Sequence, residues 1–498
     1  MSASLAALVK QAQQRGGIDA MPQQHFIGGQ WCESADGGRL PIEDPGTGRP
    51  FIEVAAGGAE DIDRAVRAAQ AAFRGALAQL IPAERGRLLL RAAQLIRARA
   101  EPLAVAETLS SGKRLSESLG DVAGAARTFE YYAGACDKLH GETLPLGPRH
   151  FGRTVWEPVG VAAQIVPWNY PLSTAARGVA PALAAGNAVV LKPADPTPLT
   201  ALMLAALLHE AGWPAGAFNV VAGTGAAAGA PLVAHGGVDH ITFTGSLATG
   251  QAVMRAAATH VTRLVLELGG KSPVIVLADA DLELAVEQVL GAIFENAGQI
   301  CSAGSRLVIA RALHEPFLER LCARARAITL AHGLRDEGMG PLISQVQQAR
   351  ADGFVQRARL RGVAVRCGGR PATDPATGAG WFYEPTVLDA LAPDDECVQH
   401  EIFGPVLAVQ VFDGELEEAA ALANGTRYAL AAGVFTRDLS AAERLARAVD
   451  AGQVFVNEYF AGGIELPFGG NRGSGFGREK GMEALRSYSK LKGVAGRL

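Results

Sequence analysis

Cys301 sits in Gly298-Gln-Ile-Cys301-Ser-Ala-Gly-Ser-Arg306, a turn of small and polar residues. The pattern predicts a helix over 281–296 before this turn and a strand over 306–310 after it. Two readings are open for the thiol. A reactive thiolate needs partial exposure and nearby backbone N–H groups. Inert cysteine that only fills a core is also common. Glu267 closes an apolar strand in Leu266-Glu-Leu-Gly-Gly-Lys271. Partial burial there raises a carboxyl pKa, the direction a general base near neutral pH needs; a solvated strand end would leave it an ordinary carboxylate. Asn169 lies in Pro167-Trp-Asn-Tyr-Pro171, stiffened by its prolines. A fixed amide can donate to a developing oxyanion or simply hold the turn.

A second group of residues suits a nucleotide. Gly223-Thr-Gly225-Ala-Ala-Ala-Gly229 follows a strand and opens a helix, with its last spacing one residue longer than GxGxxG. In Phe243-Thr-Gly245-Ser246-Leu-Ala-Thr-Gly250, Gly245 permits close backbone approach and Ser246 is a good N-cap. The helix N-terminus that follows can hold a pyrophosphate. Lys192 and Asp195 lie just past a buried strand. They offer a donor and an acceptor for ribose hydroxyls, and the acid repels a 2′-phosphate, favouring NAD over NADP. An isolated glycine turn, a capped helix or a surface ion pair would explain each of these singly.

The elements that must position these residues fall into two textures. The first part is helix-rich, with helices predicted over 59–73, 82–99, 100–119 and 122–139 after a short strand and turn at 25–31. A proline-containing extended excursion occupies 143–158. Strands then alternate with helices: strands at 160–166, 188–192, 218–221, 240–243 and 263–268, helices at 174–183, 198–211, 226–234 and 250–258. That alternation predicts a doubly covered parallel sheet, with ligands at the carboxyl ends of its strands. A further α/β block runs from 272 to about 473 and carries Cys301, and the tail 487–498 can return as a strand.

Composition narrows the classes. The chain has 498 residues, 49% hydrophobic and 19% charged, an ordinary globular balance. A net charge of −4 without a basic run gives no reason to expect nucleic acid or an anionic membrane. Six cysteines in this length, without CxxC or Cys/His spacing, imply free thiols in a reducing, cytoplasmic setting and no metal centre. The N-terminal ten residues read as a surface helix or tail rather than a signal peptide. No stretch is long and apolar enough to suggest a membrane span.

Together PWNYP, LKPAD, FTGS, LELGGK, GQICSAGSR, EIFGPV and PFGGNRGSGFGRE resemble the motif series of the NAD(P)-dependent aldehyde dehydrogenase superfamily, hydrolytic type, in its order and across nearly the whole chain. The resemblance implies that α/β fold: a Rossmann-like cofactor domain at 1–139 and 156–267, a catalytic domain at 268–484, and a small β oligomerisation element at 140–155 and 485–498. It implies Cys301 as nucleophile, with Asn169 and the Cys301 N–H holding the oxyanion. Glu267 would activate the hydrolytic water and could also help deprotonate the thiol. NAD would lie against Trp168, Lys192 and Asp195 at its adenosine end. Gly225, Gly245, Ser246 and Gly250 would surround the pyrophosphate. Leu268, Gly269, Glu401 and Phe403 would surround the nicotinamide riboside, and Ile165, Pro167, Gly229 and Phe243 are further implied cofactor positions. Partners would be a small-molecule aldehyde and further copies of the chain, as a dimer or tetramer.

Four departures accompany the resemblance. Asp195 stands where a glutamate is usual, so NADP use stays open. Gly178 stands where many members carry a lysine behind the catalytic glutamate. Glu479, the other member of that path, is present, so a relay would need water in place of the lysine. Asn471-Arg472 follows PFGG with no functional change attached. Arg177 occupies a tunnel position that is usually apolar or aromatic. It could bind a substrate carboxylate or turn away to Glu465 or Glu458. Other tunnel candidates are Tyr170, Thr174, Ile300, Ser302, Phe460, Glu465 and Phe468. Rival functions are a CoA-acylating semialdehyde dehydrogenase, which commonly lacks the base at Glu267, and a non-catalytic binding protein on the same fold. A cysteine hydrolase would need a histidine that no motif places.

Overall fold

The computed structural model describes residues 2–498. An eight-stranded sheet carries the nucleotide-type loops. Its five parallel strands lie in the order Phe218–Val220, Ala188–Lys192, Val161–Ile165, His240–Thr244, Arg263–Glu267. Chain order therefore runs outward in one direction from Val161–Ile165, then restarts on its other side at His240–Thr244. This reversal splays the following loops apart and opens a crevice at their carboxyl ends. Antiparallel strands His25–Ile27 and Gln30–Cys32 close one edge, and Gly475–Phe476 pairs with Arg263–Glu267 at the other. The parallel strands are apolar nearly throughout because helices such as Ala59–Arg74, Pro171–Ala185 and Leu199–Glu210 pack on them.

A second, seven-stranded sheet is built around Pro273–Val276, Arg306–Ala310 and Val406–Phe412, with Ala364–Cys367 antiparallel at its edge. Its core is separate from that of the first sheet. The excursion returns as Thr143–Leu144 and His150–Pro158, and the latter pairs along its length with the tail strand Ser489–Arg497. Leu146, Phe151 and Leu491 stay exposed there. No helix among the described residues is long and apolar enough to cross a membrane.

One stretch of the helical region differs from the predicted boundaries. The helices are Ala100–Ser111 and Leu115–Ala133, not 100–119 and 122–139. Gly112 takes a left-handed conformation (φ 81°) and donates to the Thr108 carbonyl, ending the first helix. Glu117 then accepts from the Arg114 N–H at 3.0 Å and starts the second. Lys113 between them is fully buried against Asp121 and Glu107, with its ammonium 4.0 Å from the centre of the Tyr170 ring. This ion cluster fixes the loop ahead of Pro171–Ala185, because Glu107 also accepts from the Leu172 N–H.

Candidate active site

The turn that bears Cys301 is held from all sides. After the helix Leu282–Phe294, Asn296, Ala297 and Gly298 take positive φ values of 47°, 52° and 72°. Such conformations cost about 1–3 kcal/mol per non-glycine residue and need surrounding structure to impose them. Here the Asn296 N–H donates to Glu117, and its amide donates to the Asn169 carbonyl at 3.1 Å. Gln299 is fully buried; its Oε1 accepts from the Ile343 N–H. The Tyr459 hydroxyl donates to the Ser302 carbonyl at 2.8 Å. Arg306, also buried, donates to the carbonyls of Lys271, Leu422 and Ala423. Cys301 remains half-buried, whereas Cys136, Cys322, Cys367 and Cys397 are buried.

Around the sulfur the predicted residues converge. One cavity of about 220 Å³ is lined by Pro167, Trp168, Asn169, Tyr170, Thr174 and Arg177 from the first crevice loop and its helix. Gly245, Ser246, Glu267, Leu268, Gly269, Cys301, Glu401, Phe403 and Phe468 also line it. The Asn169 amide donates to the Gln299 carbonyl at 2.8 Å, which sets its orientation beside the cysteine turn. Glu267 ends its strand with neither carboxylate oxygen hydrogen-bonded within the protein. A Cβ at Gly469 would fall 2.5 Å from one of those oxygens. Glu401 accepts from the Gly270 N–H at 3.0 Å, and a Cβ at Gly269 would lie 2.2 Å from its other oxygen. Trp168 and Phe403 meet edge to face at 5.3 Å.

The remaining cofactor candidates line the crevice more loosely. Lys192, at the end of Ala188–Lys192, is buried and donates to Asp195 at 2.6 Å, so the two side chains engage each other. Ser246 caps Leu247–Ala257 through the Thr249 N–H. A Cβ at Gly250 would strike Leu268 at 2.5 Å, and one at Gly245 would strike the Phe243 ring at 2.6 Å. The segment 225–229 forms one wide turn, capped by Thr224. Gly229 faces the stem of Lys192, and Ile165 ends the strand at the crevice floor.

Burial sets the ionisation of the central groups. It pushes the Cys301 thiol up to about 12, with the Arg177 charge acting against it. Burial, then the Glu479 charge, pushes Glu267 well above the usual carboxyl range. Glu401 rises to about 7 through burial, opposed by the Gly270 N–H.

Comparison with known proteins decides the family. The aldehyde dehydrogenase family profile matches residues 31–494. The chain belongs to the aldehyde dehydrogenase family. The betaine aldehyde dehydrogenase of Bacillus subtilis (strain 168) is 43% identical over 478 residues, 95% of this chain and 97% of that one. The 4-trimethylaminobutyraldehyde dehydrogenase of Oryzias latipes is 43% identical over 487 residues, covering 96% and 95%. An indole-3-acetaldehyde dehydrogenase solved with NAD+ superposes with a TM-score of 0.95 at 39% identity, covering 98% of each chain. A point variant of betaine aldehyde dehydrogenase from Staphylococcus aureus, also with NAD+, gives 0.93 at 38% identity, covering 96% and 97%.

In this aldehyde dehydrogenase a second cavity, of about 310 Å³, opens on the other side of Cys301. It shares Tyr170, Arg177, Cys301 and Phe468 with the first and adds the tunnel candidates Ile300, Ser302 and Phe460. Glu465 does not line it; its exposed carboxylate pairs with Arg127 at 2.5 Å. Arg177 pairs with neither Glu465 nor Glu458 but with Glu479, where water was expected to stand in for the missing lysine. Residues that sequence reasoning did not find are Asp121, Glu295 and Lys480 in this cavity and Gln347 and Arg350 in the first. Gln347 and Arg350 donate to the carbonyls of Glu401, Ile402 and Phe403 and so hold that loop. Both lie on the helix Gln345–Leu360, which no motif marked. Elsewhere, among the described residues, His314, Glu315 and Asp389 lie close enough to share an ion, but Arg366 already bridges the two carboxylates.

Proposed function

We propose that the protein oxidises an aldehyde to its carboxylic acid with NAD as hydride acceptor. The observation that carries this reading is the convergence of Cys301, Asn169 and Glu267 with the crevice loops on one cavity. The residues fit a nicotinamide dinucleotide: Gly245, Gly250 and Gly269, where a Cβ would strike Phe243, Leu268 and Glu401 at the crevice wall, a Ser246-capped helix N-terminus for phosphate, and a Lys192–Asp195 pair for a ribose. Glu401, held by the Gly270 N–H, would take the second ribose, with Phe403 beside it. When bound, that cofactor would supply the hydride acceptor.

Cys301 gives up its thiol proton to solvent and adds as the thiolate to the aldehyde carbonyl, giving a thiohemiacetal whose oxyanion the Asn169 amide and the Cys301 N–H hold. Loss of hydride from that carbon leaves a thioester on Cys301. Glu267 then takes a proton from water as its oxygen attacks the thioester, which releases the acid and frees the thiol. The unpaired, buried Glu267 carboxylate is consistent with a base that stays free until water enters.

The test is a panel of aliphatic, aromatic, amino and carboxylated aldehydes with NAD and with NADP, in the presence and absence of CoA. NADH should form without CoA, with a higher kcat/KM for NAD because Asp195 opposes a 2′-phosphate. Formation only when CoA is supplied, or with no aldehyde at all, rejects the reading.

The division into cofactor, catalytic and oligomerisation parts belongs to the same proposal. The exposed Leu146, Phe151 and Leu491 on the 143–158/489–497 sheet support a surface covered by a second subunit. Light scattering should return a dimer or tetramer, and a stable monomer would contradict this.

A further inference from the structure

Arg177 brings into the catalytic cavity a charge for which the proposed reaction gives no use. It lies on Pro171–Ala185 with its side chain 15% exposed. Its guanidinium is ion-paired with Glu479 and sits 4.6 Å from the centre of the Phe468 ring. Phe468 and Glu479 exchange both backbone hydrogen bonds at 2.7 Å, so ring and carboxylate are presented together. The next residue, Gly469, is the one packed against Glu267. Arg177, Phe468 and Cys301 all line both cavities. The guanidinium therefore stands where the base side, the thiol and the substrate side meet.

Two buried carboxylates and a thiol cannot all ionise in such a place without a counter-charge. Few groups can supply one. Arg478 donates to the carbonyls of Gly470 and Gly477 and to Asn471 and keeps its charge, which pulls Glu267 down after Arg177, but it lines neither cavity. Arg350 donates to the Glu401 carbonyl, and its charge acts on the Glu401 carboxyl. Lys480, 5.5 Å from the Phe468 ring centre, is pushed down to about 8 by burial and by Arg177, so it loses charge as pH rises. The Tyr132 and Tyr488 phenols facing the cluster are held neutral by burial. Glu401 faces Cys301 only as a further negative charge. At position 178 a Cβ would lie 1.7 Å from Oε1 of Gln164, whose amide donates to the Tyr488 hydroxyl. A cationic side chain there would have to displace that amide.

We propose that Arg177 is a positioning residue for the oxidation, fixing Glu479 and Phe468 and supplying one permanent positive charge, shared by both groups, that lets a Cys301 thiolate and a Glu267 carboxylate form in one cavity. On this proposal the Arg177–Glu479 ion pair serves the catalytic groups and not a substrate carboxylate. The inference rests on the aldehyde-oxidation reading for its kinetic consequences only.

The test uses Arg177→Met and Arg177→Lys in the full chain. The first readout is alkylation of Cys301 by iodoacetamide against pH, without aldehyde or NAD, followed by mass spectrometry of the Cys301 peptide. The apparent thiol pKa should rise by about one unit or more in Arg177→Met and return at least halfway in Arg177→Lys. The second readout is kcat against pH with an uncharged aldehyde. Its ascending limb should move about one unit alkaline, with kcat at neutral pH falling about tenfold and KM changing less than about threefold. Unmoved pH profiles overturn the proposal, whether KM rises only for carboxylated aldehydes or only thermal stability falls. Should Arg177→Met not fold, Glu479→Gln frees the guanidinium and should lower the thiol pKa; no change also overturns it. The alkylation arm needs no turnover, so a chain that oxidises no aldehyde would fail the functional reading separately.

Discussion

Replacing Cys301 by alanine is expected to lower aldehyde-dependent NADH formation by about 10⁴-fold or more, because the step that holds the substrate carbon is lost outright. NAD affinity and the thermal midpoint should stay close to those of the parent. The turn is fixed by Gln299, Asn296, Tyr459 and Arg306, none of which bonds through the sulfur. Burial pushes the thiol up to about 12, so the resting group is protonated and its reactivity must climb with pH. Retention of more than about one per cent of activity in the alanine variant would remove Cys301 from the mechanism.

What could be read from the chain alone follows the range of the interactions involved. The alternation of apolar runs with helical periods gave the parallel sheet, because each element is a local pattern. Loops such as 167–171 and 244–246 could be assigned to a ligand crevice because they follow the carboxyl ends of predicted parallel strands. The helix boundary at Gly112 was misplaced although its signals were present: a glycine stop and the Arg114–Glu117 box lay inside an otherwise continuous helical pattern. Lys480 takes a positive φ of 60° at a position that sequence shows only as a basic residue after Glu479. The Arg177–Glu479 pair is a different case. It joins a helix of the first sheet to the segment that bridges Phe468, and no local rule links those positions. The motif comparison pointed to position 178 for the missing charge, one residue from the arginine that carries it.

Glu267→Gln should separate the two halves of the reaction. Acyl transfer to Cys301 and hydride loss do not require a base at the water, whereas release of the acid does. The variant is therefore expected to give a first-turnover burst of NADH approaching one per site, followed by a steady rate reduced by about 10²–10⁴-fold. Amide for carboxylate keeps the shape of the side chain beside Gly469, so the loss reports chemistry rather than packing. The sign of the pH effect is set by burial and then by Glu479, which raise the Glu267 pKa. Below that pKa the carboxyl is protonated and cannot accept a proton; raising the pH populates the base. In the parent, the deacylation-limited kcat should rise with pH through the raised pKa, and in Glu267→Gln that limb should flatten. A burst that disappears together with the steady rate would instead assign Glu267 to removal of the thiol proton, since the defect would then precede hydride loss. A burst that persists with an unreduced steady rate would show that another group activates the water.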